Sequence, residues 1–487
     1  MAKVTSMRTR SLAALVVGAA LAFSSLASPA GFAALTPAHA PLAAYALAAS
    51  TSESASGLIA RVVLPAGVGC PSLDVMMPAK QGSKKVRKAM QERKAGATTL
   101  NAFSTLLVCE APIPKGARAA SIAGRSIPAF IPRNIDSIAL FGDSGCRLKG
   151  TEVQACNDSA QWPLARIAQS IVRDKPDVTI FLGDFFYREE SCPTANSAIC
   201  GGSPAPLPEA PFTDSAWGWV ADVLTPMGPL LSATPLVVVR GNHEQCSRGG
   251  NGFYLMFDPA FGTSRSCAPA AGVAPTVYSP TRAVDLSIKG GRGLRLVNVD
   301  SANGSDNTID DTIAASLRPL YERAHNLAKA SDEAWLLTHR PLSGVLSNQY
   351  LPVPQGESTT WTSVTQAYAS YGLLDPFSLS LSSHVHIAQA VQIPGQPGEL
   401  ILGNGGTELD PTTAYPIPPY GPLTNASGQP LAPERGTLPT AQSLQTWVTF
   451  GYAMAAPAAT GWTIALNDVR GEAFATCRLK GRQITCA

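Results

Sequence analysis

The stretch Val178–Asp184, with the sequence VTIFLGD, gives the clearest indication of the fold. It is a run of apolar and β-branched residues that ends at a Gly-Asp turn, and such a run predicts a buried strand with a polar side chain at its carboxyl end. The same pattern recurs at Ile138–Asp143 (IALFGD) and at Leu236–Asn242 (LVVVRGN). Because runs of this kind alternate with helical periodicity, the sequence predicts an α/β core.

Further elements follow from the same periodicities. Strands are predicted at Leu294–Val299 and Ala334–Leu337, and helices at Pro163–Arg173 and Asp311–Ala330, where apolar residues recur near a 3.6-residue period. The segment Glu472–Cys486 predicts a hairpin closed by its cysteines. Two long stretches, 191–214 and 410–439, interrupt the pattern and are expected to be lids, binding loops or disorder.

The 487 residues are enough for two or three domains. Residues 1–40 have the basic, then apolar, then small-residue pattern of an export signal. Residues 41–57 are rich in Ala and Ser and are predicted to be a flexible linker. The short apolar runs of 58–133, punctuated by Gly and Pro, predict a small accessory β-rich domain, and residues 134–487 are the predicted α/β domain with the C-terminal hairpin.

Net charge and hydropathy limit the classes of binding partner that the sequence indicates. The net charge of +3 is small for this length, so composition indicates neither nucleic acid nor an acidic membrane surface. The apolar run Leu12–Leu26 is shorter than the ~20 residues that a membrane-spanning helix needs, and no later segment qualifies. We therefore expect a secreted or periplasmic protein without a membrane anchor after signal removal.

The ten cysteines agree with an oxidising compartment. Local spacing favours five short-range disulfides, although spacing alone does not fix the connectivity. A cysteine metal site is the alternative, and the absence of a CxxC pair argues against it. The favoured pairs are Cys70–Cys109, Cys146–Cys156, Cys192–Cys200, Cys246–Cys267 and Cys477–Cys486.

Side chains that can bind metal ions follow the predicted strands, where an α/β sheet gathers groups from separate strands into one crevice. Taken singly, Gly-Asp and Gly-Asn are ordinary turn dipeptides, and a tyrosine belongs more often to a core. Four of the five histidines beyond residue 40 nevertheless fall in these motifs. Together the motifs predict one composite site formed by Asp143, Asp184, Tyr187, Asn242, His243, His339, His384 and His386.

In their order, these motifs resemble those of the purple acid phosphatases, within the calcineurin-like metallophosphoesterase family. The resemblance spans about residues 135–406 and rests on GDSG (142–145), GDFFY (183–187), GNHE (241–244), THRP (338–341) and SHVH (383–386). It implies a metallophosphoesterase sandwich of mixed β-sheets flanked by helices, with residues 134–487 as the catalytic domain. The common family pattern has a histidine two residues after the first Asp, whereas this chain has Gly145 there and Tyr187 as a replacement.

The resemblance also implies two metal ions. One, ferric iron, would be bound by Asp143, Asp184, Tyr187 and His386. Asp184 would bridge to a second ion, which is zinc, manganese or iron(II), held by Asn242, His339 and His384. Hard oxygen ligands including a phenolate suit iron(III), while an amide and two imidazoles suit the divalent ion.

The implied activity is hydrolysis of phosphate-ester small molecules. Two ions roughly 3.5–4 Å apart can clamp such an ester and activate the attacking water. His243 would contact the phosphate or the leaving group, or else only support the ligands. Arg240 and Arg340 could hold phosphate or be structural. The chain departs from the family at Ser383, where Gly is usual, and it has no histidine between Arg340 and Ser383, where plant and animal enzymes carry one.

Three alternatives stay open. The segment FGDS (141–144) resembles the GDS block of SGNH esterases, which would make Ser144 a nucleophile, but no histidine has the required Asp three residues before it. A homodivalent metallophosphodiesterase is the second alternative. The third is a secreted binding protein that keeps the scaffold without turnover, because a fold does not guarantee an activity.

Overall fold

The computed structural model describes residues 40–93, 100–202, 212–262, 265–267, 276–305, 310–343, 372–410 and 442–487. The predicted export signal lies outside these ranges except for residue 40, as do residues 203–211 of the first predicted loop and residues 411–439 of the second. Within the described ranges, no helix is long and apolar enough to cross a membrane.

Most of the regular structure is β-strand. The described strands are β1 (Ala43–Ala48), β2 (Leu58–Pro65), β3 (Ser72–Pro78), β4 (Ser83–Ala89), β5 (Gln91–Glu92), β6 (Leu106–Pro112), β7 (Ala119–Ile122), β8 (Arg125–Ile127), β9 (Ile138–Phe141), β10 (Leu148–Lys149), β11 (Glu152–Val153), β12 (Val178–Phe181), β13 (Leu236–Val238), β14 (Arg282–Ile288), β15 (Arg292–Asn298), β16 (Ala334–Leu337), β17 (Leu379–Ser382), β18 (Ala388–Gln392), β19 (Gly398–Leu402), β20 (Ser443–Trp447), β21 (Gly451–Pro457), β22 (Trp462–Asp468), β23 (Ala473–Lys480) and β24 (Gln483–Cys486).

The helices are few and mostly short. Those described are α1 (Leu100–Phe103), α2 (Leu164–Asp174), α3 (Ser197–Cys200), α4 (Ala216–Trp219), α5 (Gly228–Ala233), α6 (Gly250–Gly252) and α7 (Asp311–Ala328). π-Helical turns occur at Val220–Leu224 and Phe253–Phe257, and 3-10 turns at Thr194–Asn196 and Asn242–Glu244.

Two large mixed sheets organise the described chain. One has 11 strands in the order β24-β23-β22-β21-β9-β12-β13-β1-β2-β6-β5, and the other has 7 in the order β14-β15-β16-β17-β19-β18-β20. Leu140 and Ile180 of the first sheet share one core cluster with Leu296 and Leu337 of the second. The two sheets therefore pack face to face as a sandwich.

Helices cover the outer faces of both sheets. Phe141 and Phe181 point away from the shared core and pack with α2, because successive side chains of a strand point to opposite faces. On the other side, α7 buries Leu317 and Tyr321 against the 7-stranded sheet. The central strands are thus buried on both faces, which explains why their sequences are continuous apolar runs.

The two longer helices have recognisable ends. α2 terminates at Lys175, which adopts a left-handed conformation with φ of 52°. α7 begins at Asp310, whose side chain accepts hydrogen bonds from the backbone N–H groups of Thr312 and Ile313 at 2.9 and 3.0 Å. Such an N-cap satisfies helix donors that have no partner within the helix.

These elements confirm the predicted α/β class and sandwich. Each of the five predicted core strands is present as β9, β12, β13, β15 or β16, with ends shifted by at most two residues, and the two predicted helices are α2 and α7. The C-terminal hairpin is β23 and β24, in which Cys477 lies opposite Cys486. All five favoured disulfides are formed, and the described residues contain no free cysteine.

The segment predicted as a flexible linker, 41–57, contains strand β1, and this corrects the prediction for those residues. All six residues of β1 are buried, and the strand lies between β13 and β2, with Leu47 opposite both Leu236 and Ile59. Strands β2, β6 and β5 continue the same sheet, while β4, β3, β7 and β8 form a four-stranded sheet. The N-terminal region is therefore β-rich, and a domain boundary at residue 133 stays a prediction.

Candidate metal centre

The predicted ligands lie where parallel strands of the two sheets end. β9, β12 and β13 run parallel, and the turns after them carry Asp143, Asp184 and Asn242. β16 and β17 run parallel in the other sheet, and His339 and His384 follow them. The structure brings these residues together with Tyr187 and His386.

Three of these residues have backbone conformations that L-amino acids rarely adopt. The φ angles of Asp143, Asp184 and His384 are 54°, 58° and 75°. Each such conformation costs on the order of 1–3 kcal/mol and persists only where surrounding contacts enforce it. One such contact is the hydrogen bond from the His384 N–H to Asp143 Oδ2 at 2.8 Å, which links the two sheets.

The first group of predicted ligands surrounds the Tyr187 hydroxyl. Its oxygen lies 2.8 Å from Asp143 Oδ1, 2.9 Å from Asp184 Oδ2 and 3.0 Å from His386 Nε2. Burial, reinforced by the charges of Asp143 and Asp184, raises the pKa of the Tyr187 phenol well above its ordinary value. Burial likewise raises the pKa of Asp143 well above its usual range.

The second group surrounds His339 Nε2. This atom lies 2.9 Å from Asn242 Oδ1, 3.2 Å from His384 Nδ1 and 3.2 Å from Asp184 Oδ2. Burial opposes protonation of His339, but Asp184 and Asp143 outweigh it and raise the pKa of the imidazole to about 9. Ligand atoms of Asp184, His339 and His384 all lie within 4.8 Å of one another.

Hydrogen bonds orient the imidazoles toward the centre. His339 Nδ1 lies 3.0 Å from both the Leu182 carbonyl and the Ser383 hydroxyl, and His386 Nδ1 lies 3.0 Å from the Glu408 carbonyl. Donation from Nδ1 to a carbonyl fixes the tautomer and directs the lone pair on Nε2 at the other predicted ligands, as is usual for histidines in metal sites. Two carboxylates, a phenol, an amide and three imidazoles converge, a donor set that fits two cations.

Two buried carboxylates, which the sequence analysis did not single out, hold the ligand-bearing turns. Glu244 accepts hydrogen bonds from the N–H groups of Asp184 and Gly241, each at 2.9 Å, and burial raises the pKa of its carboxyl to about 7. Asp222 accepts from the N–H groups of Cys146 at 2.8 Å and Tyr187 at 2.7 Å. A lone acid within the apolar run Val220–Leu224 was the available sequence signal for Asp222.

His243 lies beside the ligands. Its ring packs against that of Tyr187 with centroids 3.7 Å apart and planes tilted by 32°, and its Nδ1 is 2.6 Å from Glu189 Oε1. Arg248 contacts both His243 and Glu189, with its Nε 2.7 Å from the carboxylate. Burial lowers the pKa of His243 to about 3, even though Asp184 and Glu189 favour its protonated form. Glu189 and Arg248 were not predicted as site residues, although they follow the GDFFY and GNHE motifs closely.

Arg240 and Arg340, which could each hold phosphate or be structural, differ in their surroundings. Arg240 is tied to structure, since it donates to Asp300 Oδ2 at 3.2 Å and to the Glu244 carbonyl at 2.9 Å. Arg340 instead places a guanidinium nitrogen 2.9 Å from His384 Nε2, at the edge of the ligand cluster. Ser144, the nucleophile of the esterase alternative, is buried, and its hydroxyl has no hydrogen-bond partner, histidine included, among the described residues.

The model of a known family matches this part of the chain. The family is described as "Calcineurin-like phosphoesterase", and its model matches residues 137–388, more than half of the 487 residues. The chain belongs to the calcineurin-like phosphoesterase family.

Solved structures with the same fold include two phosphoesterase-like neighbours. A purple acid phosphatase, PPD1, from seeds of yellow lupin (Lupinus luteus) superposes with a TM-score of 0.54 at 12% identity, covering 90% of this chain and 73% of that one. The structure of PhoD superposes with a TM-score of 0.53 at 11% identity, covering 92% and 91%. At these identities the likeness is one of fold. No curated protein sequence matches the chain.

Proposed function

We propose that this member of the calcineurin-like phosphoesterase family is an exported phosphatase that hydrolyses phosphate esters with two metal ions. The observation that carries the proposal is the position of Asp184 between the two ligand groups. Its Oδ2 lies 2.9 Å from the Tyr187 hydroxyl and 3.2 Å from His339 Nε2. One carboxylate in reach of both groups is the arrangement that a bridging ligand requires.

The proposed ligand assignment is the one that the family resemblance implies, and the two groups of contacts support it. Ferric iron would be held by Asp143, Asp184, Tyr187 and His386, and a zinc, manganese or iron(II) ion by Asp184, Asn242, His339 and His384. Two bound metal ions supply Lewis-acid activation of the ester and of water for in-line displacement. The phenol and the carboxylates are hard donors that suit iron(III), and the amide and imidazoles suit a divalent ion.

The surrounding residues would handle the phosphate. Arg340 lies beside His384 and Arg248 beside His243, so each places a guanidinium at the edge of the ligand cluster. Guanidinium groups bind phosphate oxygens with charge-assisted hydrogen bonds. Glu189 holds His243 Nδ1, which directs the other ring nitrogen toward Asp184 Oδ2, 3.8 Å away. We infer that His243 contacts the substrate phosphate or the leaving group, as the family resemblance implies.

The cysteines support the exported location. Five disulfides of short to moderate sequence separation are typical of proteins that fold in oxidising compartments. Residues 1–40 would supply the export signal.

The test is metal analysis of the purified protein together with a phosphatase assay on a chromogenic monoester, p-nitrophenyl phosphate, and on the corresponding diester. We expect two metal ions per chain and release of nitrophenol that Asp184→Asn abolishes. Bound metal without any hydrolysis across monoesters, diesters and nucleotides would instead indicate a binding protein on the same scaffold.

A homodivalent metallophosphodiesterase is the second candidate. It is favoured by the lack of a histidine between Arg340 and Ser383, where plant and animal purple acid phosphatases carry one. A preparation that is fully active with two divalent ions and no iron, and that prefers the diester, would support this candidate over the first.

A further inference from the structure

A cavity of about 560 Å³ lies apart from the metal centre. None of the described residues that line it belongs to the ligand cluster. Its walls come from the turn 49–57 after β1, from residues 131–133, from strand β14 and from one face of helix α7. Because β14 is part of the 7-stranded sheet and α7 packs on that sheet, two of the walls are rigid. The volume falls within the range usual for small-molecule sites.

The lining of this cavity is strongly cationic. It includes the five arginines Arg133, Arg265, Arg282, Arg295 and Arg323. Only two carboxylates, those of Glu53 and Asp285, line it among the described residues, so five positive charges minus two negative charges leave an excess of +3. A concave surface with one sign of charge attracts ions of the opposite sign.

The carboxylate behind the cavity does not remove this excess. Asp258 pairs with Arg265 at 2.7 Å and with Arg282 at 3.2 Å, and it also lies 3.6 Å from Arg93. One carboxylate is therefore shared among three guanidinium groups. A second buried carboxylate, that of Glu110, pairs with Arg61 at 2.8 Å and with Arg93 at 2.9 Å, so it is also shared between guanidinium groups.

Two of the arginines have no carboxylate partner within the described part of the chain. Arg323 donates from Nε to the Thr281 carbonyl at 3.1 Å, which leaves its charge without an ion pair among the described residues. Arg133 is exposed and makes no hydrogen bond or ion pair to the described residues. The hydroxyl-bearing residues Ser50, Ser52 and Ser56 line the same space and add hydrogen-bonding groups.

We propose that this cavity binds a small organic anion that carries at least two phosphate or carboxylate groups. Two carboxylate groups would reduce an excess of +3 to +1, and two phosphate groups would offset it fully, and the planar forks of arginines are suited to phosphate and carboxylate oxygens. Ile131 and Leu327 supply apolar contacts for the carbon skeleton of the ligand. The site is separate from the metal centre and does not depend on its activity.

The test is calorimetric titration of the metal-loaded protein with two probes, methylenediphosphonate and tricarballylate, which present phosphonate and carboxylate groups. The double variant Arg133→Gln/Arg323→Gln removes the two unpaired cations. A matched control, Arg118→Gln/Arg478→Gln, removes the same charge from exposed positions outside the cavity. Inhibition of p-nitrophenyl phosphate hydrolysis by each probe is measured in parallel, because binding at the metal centre competes with substrate.

We expect saturable binding that weakens at least about tenfold in the cavity variant and not in the control, while the inhibition constant stays unchanged. Binding of only one probe would assign phosphate or carboxylate as the recognised group. The proposal is overturned if neither probe binds the wild type. It is also overturned if the cavity variant and the control variant both bind the probes as tightly as the wild type does. The titration measures binding and does not require phosphate-ester hydrolysis. The proposal of anion binding in the cavity and the proposal of phosphatase activity can therefore fail separately.

Discussion

Asp222 Oδ2 accepts a hydrogen bond from the backbone N–H of Tyr187 at 2.7 Å, and it does so in the space that a side chain at position 145 would need. A Cβ added at Gly145 would stand 2.5 Å from that oxygen and 2.7 Å from the Tyr187 nitrogen. The loss of the usual histidine two residues after the first Asp and the presence of Tyr187 are therefore linked physically. The turn that positions the tyrosine fills the place of the histidine.

Replacing Gly145 should therefore be costly even with the smallest side chain. Gly145→Ala would force Asp222 or the Tyr187 turn to move, and overpacking of this kind costs roughly 1–3 kcal/mol. Urea denaturation of the two proteins measures the difference. Gly228→Ala is the control, because its added Cβ meets nothing within 4 Å and lies at the start of helix α5. Equal stability of Gly145→Ala and the wild type would contradict the argument.

The positions of the proposed ligands at strand ends could be predicted because they depend on local rules. Buried parallel strands give continuous apolar runs, and Gly-Asp turns mark their ends, so Asp143 and Asp184 stand out in the sequence. Strand β1 could not be predicted in this way, since its sequence AAYALA has little intrinsic preference for a strand. Its strand conformation is set by pairing with the next strand, β2, and with β13, which is distant in the sequence.

Local sequence patterns did not predict the residues that position the proposed ligands and His243. Glu189 contacts His243 across a separation of 54 residues, and Asp222 contacts Cys146 across 76. No periodicity connects such pairs, because the fold alone brings them together. Ser383 is a related case: Gly142 leaves room for its side chain, whose hydroxyl donates to the Leu182 carbonyl at 2.8 Å.

The buried Asp258 should make folding sensitive to acid. Burial alone would raise its pKa, but Arg282, Arg265 and Arg93 hold the pKa well below its ordinary value. A carboxyl with a depressed pKa in the folded state stabilises the protein above its unfolded pKa of about 3.9, and this contribution is lost as the pH falls further. At pH 7, Asp258→Asn should cost about 3–5 kcal/mol, because it removes the buried carboxylate that Arg93, Arg265 and Arg282 share.

Denaturation of this variant and the wild type between pH 7 and pH 3 checks the expectation, and the difference should be constant above about pH 5 and shrink below about pH 4. Asp285→Asn is the matched control, since its ion pair with Arg295 is largely exposed and should contribute less than about 1 kcal/mol. A difference that is equally large at pH 3 would show that Asp258 acts through packing and not through its charge.

Asp184→Asn should lower the occupancy of both metal ions, because Asp184 is within reach of both ligand groups and a neutral amide is a poorer bridging ligand than a carboxylate. Asn242→Ala should lower the occupancy of the second ion alone, since its Oδ1 contacts His339 of that group. Metal content measured by plasma mass spectrometry separates the two patterns. Near-normal content of both metals in an active Asp184→Asn protein would remove the bridging assignment.

Tyr187→Phe is the sharpest test, because the choice between a purple acid phosphatase and a homodivalent enzyme depends on one hydroxyl. A phenolate bound to iron(III) gives charge transfer in the visible range, as the family resemblance implies, so the oxidised, iron-loaded wild type should be coloured and the variant colourless. The ring of the variant can still pack against His243, so the fold and part of the metal content should be retained. Tyr45→Phe removes another buried hydroxyl, which donates to the Met256 carbonyl, and it should keep the colour. If the iron-loaded wild type has no visible band, or if Tyr187→Phe leaves the band unchanged, Tyr187 is not an iron ligand and the homodivalent candidate becomes the better account of the site.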